Sequence, residues 1–303
     1  MKQNKNLLGT IQLLLAALIW GSAFVAQSEG MNHIGPLTFM SVRFLLGGLV
    51  LLPIIALRKN KIKASDAAAT SSGIKKALTG GIICGILLTF ASGFQQFGIL
   101  YTSVSKAGFI TTLYVVFIPI CGLFTKRKPS PTVWVAVIAS VFGLYMLCMS
   151  DDLRLSAGDV LVFFSAICYT AQILAVDRYS QNIDPITLSC IQFFTVAAVS
   201  AIPAFITEQP TPSAIVSAWL PLLYAGILSS GVAFTLQVVA QRYTEPTIAA
   251  ITMSFESVFS ALSGWLILNE SLSLRELIGC VIMFAAIITA QLPKDLFRRR
   301  VKA

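Results

Sequence analysis

Histidine occurs once in this chain, as His33, and charged residues make up only 12% of it. A single histidine assembles no zinc site. The six cysteines (Cys84, Cys121, Cys148, Cys168, Cys190 and Cys280) form no C-x-x-C pair. All lie in apolar runs, where they read as small apolar filler. No G-x-x-x-x-G-K-[ST] occurs, which excludes ATP hydrolysis through a P-loop. Carboxylates are scarce too: 13 Asp and Glu against 22 Lys and Arg. A soluble domain carries roughly a quarter charged residues. This chain of 303 residues has too little polar surface to cover a water-facing globule, so lipid must cover much of it.

What the chain has instead is long apolar runs. Mean hydropathy is +0.81 and 56% of residues are hydrophobic. About 20 apolar residues in a helix cross the hydrocarbon. Ten such runs fall at roughly 7–27, 36–57, 78–100, 103–124, 131–149, 157–177, 185–206, 216–240, 246–268 and 274–292. Lysines precede the first run, as in a signal peptide, but the run continues through Trp20 and Phe24 with no A-x-A site after it. It reads as a retained helix. The expected fold is therefore an all-α integral membrane protein with ten transmembrane helices.

The net charge of +9 invites a nucleic-acid partner, but its placement argues against one. With alternate links on the same side, one side collects Lys2, Lys5, Arg58, Lys59, Lys61, Lys63, Lys75, Lys76, Lys126, Arg127, Lys128, Arg178, Arg242, Lys294, Arg298, Arg299, Arg300 and Lys302. The other side has only Arg154 and Arg275. This is the positive-inside pattern, with both termini cytoplasmic. The basic tail, 293–303, is expected to touch anionic lipid headgroups.

Two stretches resemble each other. A shift of 142 pairs Tyr101 with Tyr243, Thr102 with Thr244, Phe117 with Phe259, Gly122 with Gly264 and Gln95 with Gln237. A shift of 149 pairs Trp20 with Tyr169 and Pro36 with Pro185, and sets Gln192 opposite Arg43. Each half, 7–149 and 157–292, then holds five spans. Five is odd, so the second half enters the membrane from the other side, giving two inverted five-helix repeats.

Local signals mark the span ends. Ser156 with Asp159 and Ser273 with Glu276 form capping-box patterns, and Gly35-Pro36 and Asp184-Pro185 place a proline in a first helical turn. Gly81 and Gly85 form a G-x-x-x-G that allows close helix approach, expected within one chain rather than in a dimer. The oligomeric expectation is a monomer or weak homodimer. Pro119 is expected to kink the fourth span. Lys106, near that span's end, is expected to snorkel.

Charges at membrane depth are costly and mark candidate sites. Glu256 lies about 15 Å into the ninth run and Arg43 about 10 Å in from the opposite side, at 1.5 Å per residue. Their side chains are expected to meet. Glu256 reads either as one partner of an interhelical pin or as a group that exchanges protons or binds a cationic part of a substrate. Glu270 stands where the ninth run ends. Trp20, Gln95, Gln96, Tyr114, Tyr169, Gln172, Gln237 and Phe255 form a polar and aromatic layer. Buried amides and phenols need partners, so they bond across helices or line a wet cavity for a small molecule. An intramembrane enzyme would need clustered His, Asp or Glu at one depth, which the chain does not offer. A passive channel is the remaining rival.

Trp20-Gly21-Ser22-Ala23-Phe24, Arg43-Phe44-Leu45-Leu46, Gly98-Ile99-Leu100-Tyr101-Thr102 with Ala107-Gly108-Phe109, Pro119 and Gly143 resemble the EamA type of the drug/metabolite transporter superfamily. In the second half the resemblance is carried by Glu256 with Phe259-Ser260-Ala261, Asn269-Glu270 and Gly279. It implies two inverted five-helix units working by alternating access around a cavity lined by spans 1, 3, 4, 6, 8 and 9. It also implies export of metabolites such as amino acids, or of drug-like compounds, across a bacterial-type plasma membrane. No cofactor is implied, and protons are a candidate coupling ion. One departure stands out: Ser257 follows Glu256 where many family members have proline.

Overall fold

Serine, aspartate and proline start the helices where their chemistry predicts. The computed structural model describes the backbone of 2–59, 67–102, 104–124, 129–148, 156–268 and 273–291, with side chains over a slightly smaller set. The side chain of Lys106, and Lys126, Arg127, Lys128, Asn269, Glu270 and the tail 293–303, lie outside the described residues. Ser156 and Asp159 cap α7 (Ala157–Ser180) reciprocally. Ser273 and Glu276 do the same for α14 (Leu274–Gln291). Asp184 accepts from Thr187 N at the start of α8 (Pro185–Thr207), and α2 (Pro36–Lys59) opens on its proline. These bonds satisfy backbone N–H groups that a helix start leaves unpaired.

Among the described residues, six helical segments are long and apolar enough to cross a membrane: Leu7–Met31, Pro36–Leu57, Gly73–Ile99, Ala157–Ser180, Pro185–Thr207 and Trp219–Ala240. They belong to α1 (Lys2–Met31), α2, α3 (Ala67–Ile99), α7, α8 and a composite of α10 (Trp219–Leu223), a π-helical segment (Tyr224–Phe234) and α11 (Thr235–Ala240). A short α9 (Pro212–Ser217) precedes the composite. The fifth and tenth runs are the shorter α6 (Pro131–Cys148) and α14, which pack on each other with Gly143 against the Gly279 carbonyl.

The fourth and ninth runs are not continuous helices. The fourth is α4 (Val104–Thr111) and α5 (Tyr114–Leu123); the ninth is α12 (Pro246–Met253) and α13 (Glu256–Leu268). The kink expected at Pro119 is displaced: Pro119 sits inside α5, and the break falls at Thr112–Leu113. There the Thr112 hydroxyl bonds back to the Gly108 and Phe109 carbonyls, and Val115 N bonds to Thr112 O, tightening the turn. At the second break, Ser254 bonds back to Ile251 O and Ser257 N bonds to Ser254 O. Hydroxyls that compete for backbone carbonyls bend helices. The chain therefore breaks beside Glu256 with a serine, Ser257, and no proline at the break. The two breaks, 112–113 and 254–255, are 142 residues apart, the shift found in the sequence.

Packing pairs α3 with α7 and α8, and the π segment with α1 and α2. Exchanging the halves at shifts of 142 and 149 turns each pairing into the other. Gly81 and Gly85 serve packing within the chain. A Cβ on Gly85 would lie 2.5 Å from Thr195 Cβ and 2.9 Å from Gln192 O, so only glycine lets α3 and α8 approach this closely. Across the other long pairing, Glu208 at the end of α8 accepts from Leu37 N, Thr38 N and Thr38 Oγ1 at 2.9, 2.8 and 2.6 Å. It caps α2 from a neighbouring helix. We expect Glu208→Ala to lower stability by roughly 2 kcal/mol, since charge-assisted bonds to a half-buried carboxylate are lost, read as a lower melting temperature in detergent. An unchanged melting temperature would deny the cap that role.

Candidate functional site

Both helix breaks face one central cavity. Tyr114 and Glu256 are the first residues of α5 and α13, and Tyr114 Oη donates to Glu256 Oε1 at 3.4 Å. Each break thus turns a polar side chain inward at the same depth. The cavity holds about 40 Å³ and is lined by Trp20, Phe24, Gln27, Arg43, Gln95, Thr111, Tyr114, Tyr169, Ile173, Ser229, Phe234, Gln237, Met253 and Glu256. That is room for one or a few waters, since one needs about 10–15 Å³ on this measure.

Seven of the ten residues singled out in the sequence line it: Trp20, Arg43, Gln95, Tyr114, Tyr169, Gln237 and Glu256. Trp20 Nε1 donates to Ser229 O at 3.3 Å, and its ring meets Phe234 edge-on at 4.8 Å. Gln95 Nε2 donates to Thr111 Oγ1 at 3.1 Å, and Gln95 Oε1 accepts from Tyr169 Oη at 3.3 Å. Three residues lie elsewhere. Gln96 donates to Met31 Sδ, Gln172 joins Gln192 and Gln237 in a buried amide chain, and Phe255 meets Phe259 edge-on and Phe284 at a tilt. For Gln172 and Phe255, bonding and packing account for the side chain, whereas Gln96 Oε1 is buried without a hydrogen-bond partner.

Arg43 and Glu256 share the cavity but not an ion pair. Arg43 Nη1 donates to Gln27 Oε1 at 2.8 Å, with the guanidinium 4.8 Å from the Phe44 ring centroid. Glu256 takes its bond from Tyr114 instead. The expected contact is absent: Gln27 from α1 is the partner of Arg43, and Tyr114 is the partner of Glu256. The sequence does mark Gln27: Trp20, Phe24 and Gln27 follow one another at spacings of four and three, on one helical face. Ser229 and Phe234 were hidden by the π-helical segment, a geometry frequent at functional sites. Its Gly226 and Gly231 leave room for α2, where a Cβ on Gly47 would lie 2.9 Å from Ser230 Cβ and 3.1 Å from Gly231 N.

The surroundings of the cavity differ from side to side. At Phe24 the cavity borders a buried apolar cluster of Phe24, Ile99, Ala107 and Val162. Toward the face carrying Lys75, Lys76 and Arg178, a cleft of about 540 Å³ is lined by Ile118, Leu174, Asp177, Gln181 and Glu245, among others. Tyr114 on the cavity and Ile118 on the cleft are one helical turn apart, about 6 Å of rise.

The sequence comparison decides the family. The model of the EamA-like transporter family matches residues 7–149 and 156–290. This chain belongs to the EamA-like transporter family. An "Uncharacterized transporter" of Archaeoglobus fulgidus is 30% identical over 295 residues, covering 95% of this chain and 87% of that protein. The "Uncharacterized transporter YoaV" of Bacillus subtilis is 22% identical, covering 93% and 95%. The "Uncharacterized inner membrane transporter YedA" of Escherichia coli is 23% identical, covering 92% and 89%. A protein solved by crystallography superposes with a TM-score of 0.75 at 17% identity, covering 97% of this chain and 99% of that one, a likeness of fold. The chain is a multi-pass membrane transporter of this EamA-like family, and these names point to transport rather than catalysis.

Proposed function

We propose that this EamA-like protein is a secondary transporter that exports a small organic solute by alternating access, with the central cavity as its binding site. Ten membrane-crossing segments form two inverted five-helix units, 7–149 and 157–292, and both termini face the cytoplasm of a bacterial-type plasma membrane. The observation that carries this reading is the cavity at the meeting point of two helix breaks 142 residues apart, lined by Trp20, Gln95, Tyr114, Tyr169, Gln237, Arg43 and Glu256. Discontinuous helices at corresponding positions of two halves are where transporters of this design bind substrate. Glu256 is the coupling carboxylate: it makes no ion pair with Arg43, so it is free to gain and lose a proton as the cavity changes sides. At about 40 Å³ the cavity has room for no more than a few waters, and on this reading it widens past Ile118 toward the cleft when the protein opens.

The combined replacement Trp20→Ala, Gln95→Ala and Gln237→Ala tests this. We expect folded protein, checked by gel filtration, with solute flux reduced at least about a hundredfold, since losing several hydrogen-bonding and stacking contacts removes 3 kcal/mol or more of binding. Unchanged flux would sink the reading. A passive channel is the rival reading, separated from a carrier by counterflow.

A further inference from the structure

Arg43 is deep in the membrane, only 2% exposed, and it lines the central cavity. Its contacts orient it without neutralising it: a neutral amide at 2.8 Å from Gln27, and the Phe44 and Phe39 rings with centroids 4.8 and 5.9 Å away. Its Nε makes no hydrogen bond. Among the described residues no carboxylate oxygen pairs with the Arg43 guanidinium within 4.0 Å. A cation buried without an anion is unfavourable and is normally found paired. At membrane depth such a charge marks a substrate pathway.

The shape of the donor set narrows the missing anion. A guanidinium is a planar fork matched to a planar carboxylate. Among the described residues one cation, Arg43, lines the cavity, which suits a monoanion rather than a phosphate dianion. Phe24, Ile173, Phe234 and Met253 make much of the remaining wall apolar. Gln237 Oε1, also on the wall, has no donor of its own.

We propose that Arg43 is a substrate-binding residue that receives a carboxylate of the transported solute, whose body is apolar. The proposal rests on the cavity being the transport site. Gln27 and Phe44 hold the fork open for an anion that arrives and leaves with each cycle. If the solute also carries an ammonium group, Glu256 is the cavity group of the right charge to take it.

The test is equilibrium binding to the purified full chain in detergent, with three probes on one carbon skeleton. Leucine carries both charges, 4-methylpentanoate lacks the ammonium, and 3-methylbutylamine lacks the carboxylate. We expect saturable binding of at least one carboxylate probe and at least about tenfold weaker binding of the amine. Leucine much tighter than 4-methylpentanoate identifies a zwitterion; equal binding identifies a plain acid; both support Arg43 as the receptor. Arg43→Gln should weaken the carboxylates by about 10- to 100-fold, the loss of one hydrogen bond to a charged group, with Arg43→Lys in between. Should Arg43→Gln not fold, the probe series on the native chain still decides. The proposal is overturned if the amine binds as tightly as the carboxylates, if neither carboxylate binds at millimolar concentration, or if Arg43→Gln binds them unchanged. Counterflow of a cationic or neutral solute, with no carboxylate bound, would overturn it and leave the transport reading standing. Carboxylate binding without counterflow of any solute would do the reverse.

Discussion

Glu256→Gln is expected to abolish accumulation driven by a pH difference while labelled solute still exchanges detectably for unlabelled solute. Glutamine keeps an acceptor for Tyr114, whose hydroxyl now donates to Glu256 Oε1 at 3.4 Å, so the break between α12 and α13 should survive. What glutamine lacks is a proton to carry. If one proton exchanges for one solute, a difference of one pH unit supports about tenfold accumulation in the more acidic compartment. Proteoliposomes with wild type should approach that ratio, and those with Glu256→Gln should stay near equality. Full accumulation by the variant would assign Glu256 to packing. The arrangement already bears against a structural ion pair, because Arg43 is engaged by Gln27 and the rings of Phe39 and Phe44.

The second large effect concerns Gly21, which lies where α1 presses against α13. A Cβ there would sit 2.6 Å from the Glu256 carbonyl oxygen, 2.8 Å from Phe259 Cβ and 2.8 Å from Ser260 N. Two of these neighbours are backbone and cannot swing aside. Gly21→Ala must therefore push α13 away from α1, shifting Glu256 relative to Tyr114. Overpacking of this kind costs about 1–3 kcal/mol, and transport should fall because the displaced residue belongs to the cavity. Gly93→Ala is the control: the nearest atom to its Cβ position is Met40 Cε at 4.0 Å. Alanine there should be neutral or stabilising by up to about 1 kcal/mol through helix propensity. Thermal unfolding of both variants in detergent, with flux measured in parallel, checks the pair. Equal behaviour of the two would contradict the α1–α13 contact.

Much of the architecture was legible in the sequence because local chemistry dictates it. Ser156 and Asp159 make their reciprocal cap, Asp184 caps α8, and Gly85 admits α8. Each depends on a few neighbouring residues or on one size constraint. The helix breaks were harder to read. Proline is the conspicuous helix-breaker, so Pro119 drew attention, whereas Thr112 and Ser254 act through side-chain bonds to backbone carbonyls that composition does not reveal. Depth along the membrane could be counted, which placed Arg43 and Glu256 within reach of each other. Depth says nothing of rotation about a helix axis or of competing partners, and Gln27 and Tyr114 are those partners. The same limit explains Gln96, Gln172 and Phe255, which have the right depth but face neighbouring helices. The shift of 142 has a physical counterpart in Tyr114 and Glu256, which occupy matching positions and bond to each other.

Counterflow in proteoliposomes tests the transport account most directly. Vesicles holding wild-type protein are loaded with one unlabelled compound from a panel of amino acids and lipophilic cations, and entry of the same labelled compound is followed. A cavity that opens to one side at a time requires that internal solute accelerate external entry, with a rate that saturates as concentration rises. Entry that climbs linearly with concentration and ignores the internal solute would mean an open pore, and alternating access around Glu256 and Arg43 would be wrong.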